Sequence, residues 1–108
     1  MKTLAVYGTL KKGYPLESWL CDAKFQRDDS VSGSLYISPG GGIPFLGKGV
    51  DKVHVEVYNV DEDTFSAVKH MEEAAGYKTT LTRLKSGQEA YVFFYPHISK
   101  HFKRINKF

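Results

Sequence analysis

The 108-residue sequence is 42% hydrophobic and 14% aromatic, enough apolar surface for one self-contained core and too little chain for a second domain. A charged fraction of 25% with a formal net charge of +3 is ordinary, suiting a small anionic ligand without requiring nucleic acid or a membrane surface. No apolar run approaches the ~18 residues of a membrane span, the start of the chain lacks the layout of a signal peptide, and the single Cys21 excludes an intrachain disulfide or a cysteine-rich zinc site, so a cytoplasmic protein is expected.

The first stretch organises the rest. Leu4 to Tyr7 is a short apolar run broken at once by Gly8, which reads as a buried strand ending in a tight turn. Glycine admits a positive φ and a close approach to the main chain. The N–H groups of Gly8, Thr9 and Leu10, turned the same way, would form a concave donor site for a carboxylate or phosphate, with Lys11 and Lys12 beside it. Strand-glycine-turn is also a common plain connection. Pro15 then suits the first position of a short amphipathic helix carrying Leu16, Trp19, Leu20 and Ala23 on one side, with Cys21 on the polar side.

Residues 26–30 read as a polar link, and Val31 to Ile37 as a strand with Val31, Gly33, Leu35 and Ile37 on one face. The run Pro39 to Pro44 is a loop, since three glycines and two prolines oppose regular structure; it is either a flap over a pocket, with Ile43 and Phe45 as its apolar underside, or a surface connection. Val53 to Tyr58 alternates without fault, placing Val53, Val55 and Val57 inward and His54, Glu56 and Tyr58 on the other face. Asp61 is an N-cap for a helix that ends near Ala74, with Glu62 and Asp63 in its first turn.

That helix carries the most informative residue. At 100° per residue, Phe65, Val68 and Met71 form an apolar stripe, and Glu72 lies only about 40° from its centre, whereas Lys69, His70 and Glu73 lie about 100° or more away. A carboxylate on a core-facing stripe either reaches water or a lysine near the helix end, or it is functional, because an unpaired charge resists burial. Gly76 suits the helix C-terminus. Residues 79–84 and 90–95 form a hairpin about the turn 85–88, and the second strand, apolar on both faces, belongs in the interior of a sheet or barrel. The segment 97–108 holds four Lys or Arg and no acid, with Phe102, Ile105 and Phe108 spaced for one helical side; it is expected as a basic tail or short helix following a domain over 1–96.

Taken in order, Tyr7-Gly8-Thr9-Leu10-Lys11-Lys12-Gly13, Gly33-Ser34-Leu35-Tyr36, Pro44, Val55-Glu56-Val57-Tyr58, Met71-Glu72, Gly76-Tyr77 and the aromatic strand to Tyr95 resemble the gamma-glutamylcyclotransferase-like family, which includes the AIG2-like and gamma-glutamylamine cyclotransferase proteins. The resemblance covers nearly the whole chain. It implies an α+β fold, a small mixed β-barrel with flanking short helices, and a pocket at the Tyr-Gly-Thr-Leu loop. It also implies a catalytic glutamate that falls on Glu72 when the family's L-D-x-x-E pattern is laid on residues 68–72, the residue the helical periodicity singles out independently. Lys69 stands where the family commonly has Asp, and Thr79 where Arg is frequent.

The implied reaction is cleavage of a γ-glutamyl amide by its own α-amine, releasing 5-oxoproline and a free amine. Glu72 would act as general acid/base, the Gly8, Thr9 and Leu10 amides would clamp the α-carboxylate or a developing oxyanion, and Tyr7, Tyr77 and Tyr95 would line the pocket. No metal or organic cofactor is called for, the partner is a small-molecule γ-glutamyl substrate, and no oligomeric state is implied. Two other classes stay open: an inactive small-carboxylate-binding or sensor protein of the same fold, and, less favoured, a nucleic-acid-binding module using the basic C-terminus.

Overall fold

The computed structural model describes residues 1–14, 17–106 and 108. One six-stranded sheet carries the fold. It is built from β1 (Lys2–Val6), β2 (Lys24–Ile37), β3 (Pro44–Val60), β4 (Lys78–Arg83), β5 (Glu89–Phe94) and β6 (Lys103–Ile105), with one α-helix, α1 (Glu62–Ala74), and a 3₁₀ turn at Glu17–Leu20. The spatial order is β4-β5-β1-β3-β2-β6; β1 runs parallel to β5 and every other neighbouring pair is antiparallel. The α+β class and the mixed, curled sheet agree with the sequence reading.

Curling is visible in bonds that join strands from opposite sides of the sheet. The Lys85 N–H at the tip of the β4–β5 hairpin donates to the Ser30 carbonyl of β2 (2.8 Å), and the Tyr95 N–H donates to the Leu46 carbonyl of β3 (2.8 Å). Beside the first of these, the Asp29 carboxylate accepts from the Ser86 N–H at 3.2 Å and from the Ser86 hydroxyl, and pairs with Arg27 at 2.9 Å. The cluster fastens the hairpin tip across the barrel to β2.

Two apolar layers lie on the two faces of this sheet. Inside the curl, Ala5, Val31, Leu35, Leu46, Val55 and Val92 pack together; on the outer face, Leu4, Val6, Tyr58, Val60 and Phe93 are covered by Leu20 and by Phe65 and Val68 of α1. This explains why β5 is apolar on both faces: Ala90 and Val92 point into the curl, while Phe93 lies under the helix.

Several expectations need correction. Pro15 and Leu16 fall outside the described residues. Residues 17–20 form a 3₁₀ turn in place of the expected amphipathic α-helix, with bonds that span three residues (Cys21 N–H to Ser18 O, Ala23 N–H to Leu20 O); Leu20 alone is buried within it, and Trp19 is 41% exposed. Residues 26–30 are strand, because inward positions 27 and 29 carry charges that satisfy each other and Ser86 and so hide the period of two. Strand β3 begins at Pro44, well before Val53, and is interrupted near Ser34, where Gly49 is obligatory: a Cβ there would meet the Ser34 hydroxyl at 1.9 Å. Tyr58 is buried, because the outer layer and Phe25 cover that end of the strand; His54 remains exposed and pairs with Asp28 at 2.8 Å.

The described residues of the segment 97–108 include a strand where a tail or helix was expected. Lys103–Ile105 add β6 to the free edge of β2, Phe102 packs on Phe45 at 5.2 Å, Ile105 and Phe108 join the inner apolar layer, and Arg104 pairs with Asp51. These contacts attach the described part of the segment to the sheet. No helix among the described residues is long and apolar enough to cross a membrane.

Candidate active site

Because β1 and β5 are parallel, their C-terminal ends meet at one end of the sheet, beside the start of the antiparallel β3. The last turns of α1 close over the same end. A cavity of about 220 Å³ opens there.

Its carboxylate comes from α1. Asp61 caps the helix by accepting from the Thr64 N–H (2.7 Å), and the stripe Phe65, Val68 faces the outer layer. Continuing that stripe places Met71 and Glu72 at the cavity wall, while Glu73 is exposed and held by Lys69 (3.2 Å) and Thr79 (2.8 Å). The helix then stops in a Schellman pattern. The Tyr77 N–H donates to Glu72 O (3.1 Å) and the Gly76 N–H to Glu73 O (3.0 Å), with Gly76 at φ +100°. These bonds fix Glu72 and Tyr77 relative to each other as two sides of one wall.

Among the described residues, the Glu72 carboxylate has no ion-pair or hydrogen-bond partner. Burial among apolar side chains pushes its pKa up from 4.5 to about 7. Glu73, with its hydrogen bond from Thr79 and its contact with Lys69, is held below the ordinary range. Adjacent carboxylates thus have opposite behaviour, set by which side of the helix they occupy.

Facing Glu72 is the loop after β1. The Lys11 N–H donates to Gly8 O (3.0 Å), closing a turn in which the N–H groups of Gly8, Thr9 and Leu10 have no protein acceptor among the described residues. All three residues line the cavity. Gly8 does not adopt a positive φ, contrary to the sequence reading; what requires glycine is Pro44, whose Cγ would lie 2.7 Å from a Cβ at this position. The loop is tied on its outer side by Glu56, which accepts from the Lys12 N–H and the Tyr58 hydroxyl, each at 3.0 Å.

The tyrosines play different parts. Tyr7 lines the cavity with its ring, but its buried hydroxyl is committed, donating to Phe93 O (2.6 Å) and accepting from the Leu46 N–H (3.2 Å); burial, then Tyr77 and Glu72 nearby, hold its pKa far above the ordinary value. Tyr77 lines the cavity and donates to Pro44 O at 2.9 Å, and burial together with the Glu72 charge raises its pKa as well. Tyr95 is not in the lining. It lies behind it, against Gly76 and in ring contact with Tyr77 (5.3 Å) and Phe45 (4.6 Å). The rest of the described lining is apolar: Val6, Ile43 and Pro44 at the end of the glycine loop, Phe45, Ala75 and Phe93.

Sequence reasoning anticipated Ile43 and Phe45 as the underside of a flap; it did not assign Phe93, which needs the β1–β5 pairing to be known. The glycine loop itself runs through Gly40, Gly41 and Gly42 at φ values of +94°, +71° and +92°, a conformation closed to most side chains. Cys21 is exposed and does not line the cavity. Among the described residues, no three His, Cys, Asp or Glu side chains gather as metal ligands would.

Comparison with known proteins gives one consistent result. The family described as "Gamma-glutamyl cyclotransferase, AIG2-like" matches residues 4–107. A Pyrococcus horikoshii protein whose name assigns it provisionally as a gamma-glutamylcyclotransferase is 41% identical over 86 residues, covering 79% of this chain and 72% of that protein. The crystal structure of that archaeal protein superimposes with a TM-score of 0.83 over 98% of this chain and 86% of its own, at 35% identity. A mouse AIG2-like protein shares the fold at a TM-score of 0.84 and 23% identity, over 100% of this chain and 88% of its own. The same fold also occurs inside a larger enzyme: allophanate hydrolase of Kluyveromyces lactis matches 96% of this chain with 19% of its length, at 25% identity and a TM-score of 0.82.

Proposed function

Because the chain belongs to the gamma-glutamyl cyclotransferase, AIG2-like family and is a cyclotransferase-like enzyme, we propose that it cleaves a small γ-glutamyl amide by intramolecular attack, with Glu72 moving the proton. The observation that carries this reading is an unpartnered carboxyl, pushed up to about 7, on an apolar wall across from three unspent main-chain N–H groups.

The chemistry uses what the substrate already holds. Its α-amine, protonated in water near neutrality, gives a proton to the Glu72 carboxylate and attacks the γ-carbonyl carbon. A C–N bond closes the five-membered ring and the carbonyl oxygen becomes an oxyanion. The C–N bond to the leaving amine then breaks as Glu72 returns the proton to the departing nitrogen, and the second proton that the ring nitrogen must shed passes through the same carboxylate to the freed amine, which leaves as an ammonium. The products are 5-oxoproline and a free amine, and no water is consumed. Because the nucleophile is tethered, the cavity's contribution is to hold a folded near-attack conformer and exclude solvent. A pKa near the working pH is what a group needs to accept and then return the same proton. The Gly8, Thr9 and Leu10 N–H groups serve the substrate's α-carboxylate or the oxyanion. Tyr7 and Tyr77, whose hydroxyls are spent on Phe93 O and Pro44 O, act as rigid walls instead of proton donors.

The test is mass-spectrometric detection of 5-oxoproline from a panel of γ-glutamyl amides with wild type, Glu72→Gln and Glu73→Gln. Product from wild type and Glu73→Gln, with turnover by Glu72→Gln reduced at least about 10²-fold, is the expected pattern. Equal loss in both variants removes Glu72 from the mechanism. Substrate binding without product from any protein favours a sequestering or sensor role.

A further inference from the structure

The charge inventory of the cavity bears on which amine leaves. Among the described residues that line the cavity, Glu72 is the only ionisable group apart from Tyr7 and Tyr77, and none is Lys, Arg or His. The hydroxyls of both tyrosines are already committed to protein carbonyls. The nearby cations are engaged elsewhere: the Lys11 ammonium lies 3.1 Å from Phe108 O, Lys12 sits 3.6 Å above the Phe25 ring, and Lys69 pairs with Glu73. Among the described lining residues, the donors that remain are the Gly8–Leu10 main chain and the Thr9 hydroxyl, and in the cyclotransferase reading these serve the glutamyl part of the substrate.

A leaving group bearing its own carboxylate would therefore enter an apolar site with no cation to meet it, next to Glu72, which must be ionised to start the reaction. Both the desolvation cost and the like-charge repulsion oppose it. A leaving group bearing an ammonium would pair with Glu72, hold the carboxylate ionised and weaken it as a base. An uncharged apolar substituent meets neither difficulty and packs against Ile43, Phe45 and Met71.

We propose that the substrate is a γ-glutamyl amide of an uncharged, apolar amine, a short alkyl or aromatic amine, and that γ-glutamyl amino acids and γ-glutamyl diamines are discriminated against. This rests on the cyclotransferase reading above. The experiment compares kcat/KM for 5-oxoproline formation between pairs differing in a single charged group: γ-glutamyl-isopentylamide against γ-glutamylleucine, which adds one carboxylate, and γ-glutamyl-n-pentylamide against γ-glutamylcadaverine, which adds one ammonium. The uncharged member of each pair is expected to be favoured by about 100-fold or more. Ile43 is half-exposed at the mouth, so Ile43→Arg can supply the missing cation from solvent, and it is expected to narrow the leucine pair's ratio by about tenfold or more.

Turnover of γ-glutamylleucine within about threefold of the isopentylamide overturns the proposal while leaving the cyclotransferase reading intact. The same holds for an Ile43→Arg ratio that does not move. No 5-oxoproline from any of the four compounds overturns the reading and the proposal together.

Discussion

Replacing Glu72 by glutamine should stabilise the protein above neutral pH while removing its activity. In the unfolded chain the carboxyl titrates near its ordinary 4.5; in the folded protein burial raises it to about 7. Between those values the folded state holds a proton that the unfolded state has released, so stability falls as pH rises. The favourable contribution is fully present below the unfolded value and is lost as pH rises through about 7. At ~1.4 kcal/mol per pH unit the full displacement corresponds to about 3 kcal/mol, and because the carboxyl faces an open cavity, solvent screening reduces this to about 1–2 kcal/mol. Glutamine does not titrate. Relative to wild type, Glu72→Gln should gain roughly 5–10 °C in Tm at pH 8 and differ little at pH 4, where both proteins present a neutral group. Thermal unfolding followed by circular dichroism at the two pH values measures it. A Tm advantage that is the same at both pH values, or a loss at pH 8, would refute the claim that burial of an ionising Glu72 is the cost.

The same titration sets the acid side of the rate profile: kcat/KM for 5-oxoproline release should fall off below about pH 7, with the limb shifted well above an ordinary carboxylate. A limb near pH 4–5 would mean that Glu72 is solvated during turnover. Gly8→Ala should destabilise by about 1–3 kcal/mol through overpacking on the stiff Pro44 ring and displace the turn that carries the main-chain donors; the Gly8→Ala, Pro44→Gly double variant should recover part of the loss in a denaturant titration, and strictly additive losses would contradict the contact. At the barrel clasp, burial alone would raise Asp29, but hydrogen bonds from Ser86, Ser30 and Arg27 outweigh it and hold its pKa below 3.8. Its contribution is present above the unfolded value and lost as pH falls through the lower folded one. Asp29→Asn should therefore flatten the acid-unfolding curve below about pH 4 while lowering stability at pH 7, and an unchanged acid limb would show that the clasp does not carry charge-dependent stability.

Local periodicity was enough to find the catalytic candidate. The stripe Phe65, Val68, Met71, Glu72 is a property of one helix, and the helix ends where Gly76 provides a positive φ, so the position of Glu72 beside the core-facing stripe was legible, while periodicity alone left open whether it reached water, a lysine or a pocket. The loop opposite, Gly8 to Leu10, was named as a donor site from its own residues and tied to the glutamate only through the family resemblance, and the packing that brings the two together was not legible. Strand β2 was hidden over 26–30 because Arg27 and Asp29 face inward and find their partners in each other and in Ser86, on another hairpin. Tyr58 was assigned to the outer face by strict alternation, correctly in parity; its burial comes from Leu20 and α1 covering that face, a second layer that strand periodicity does not encode. For Gly8 the residue was right and the reason was not, since the need for glycine arises from Pro44 across the cavity mouth. Tyr95 shows the same limit at a strand end: β5 stops at Phe94, alternation no longer holds beyond it, and the ring turns behind Tyr77 to pack on Gly76 while Phe93 takes the place in the wall. The elements thus followed from short-range pattern and the site's floor from long-range pairing. Glu72, which the helical pattern and the family resemblance both single out, is also the residue whose burial costs stability at the pH where the proposed reaction needs it ionised.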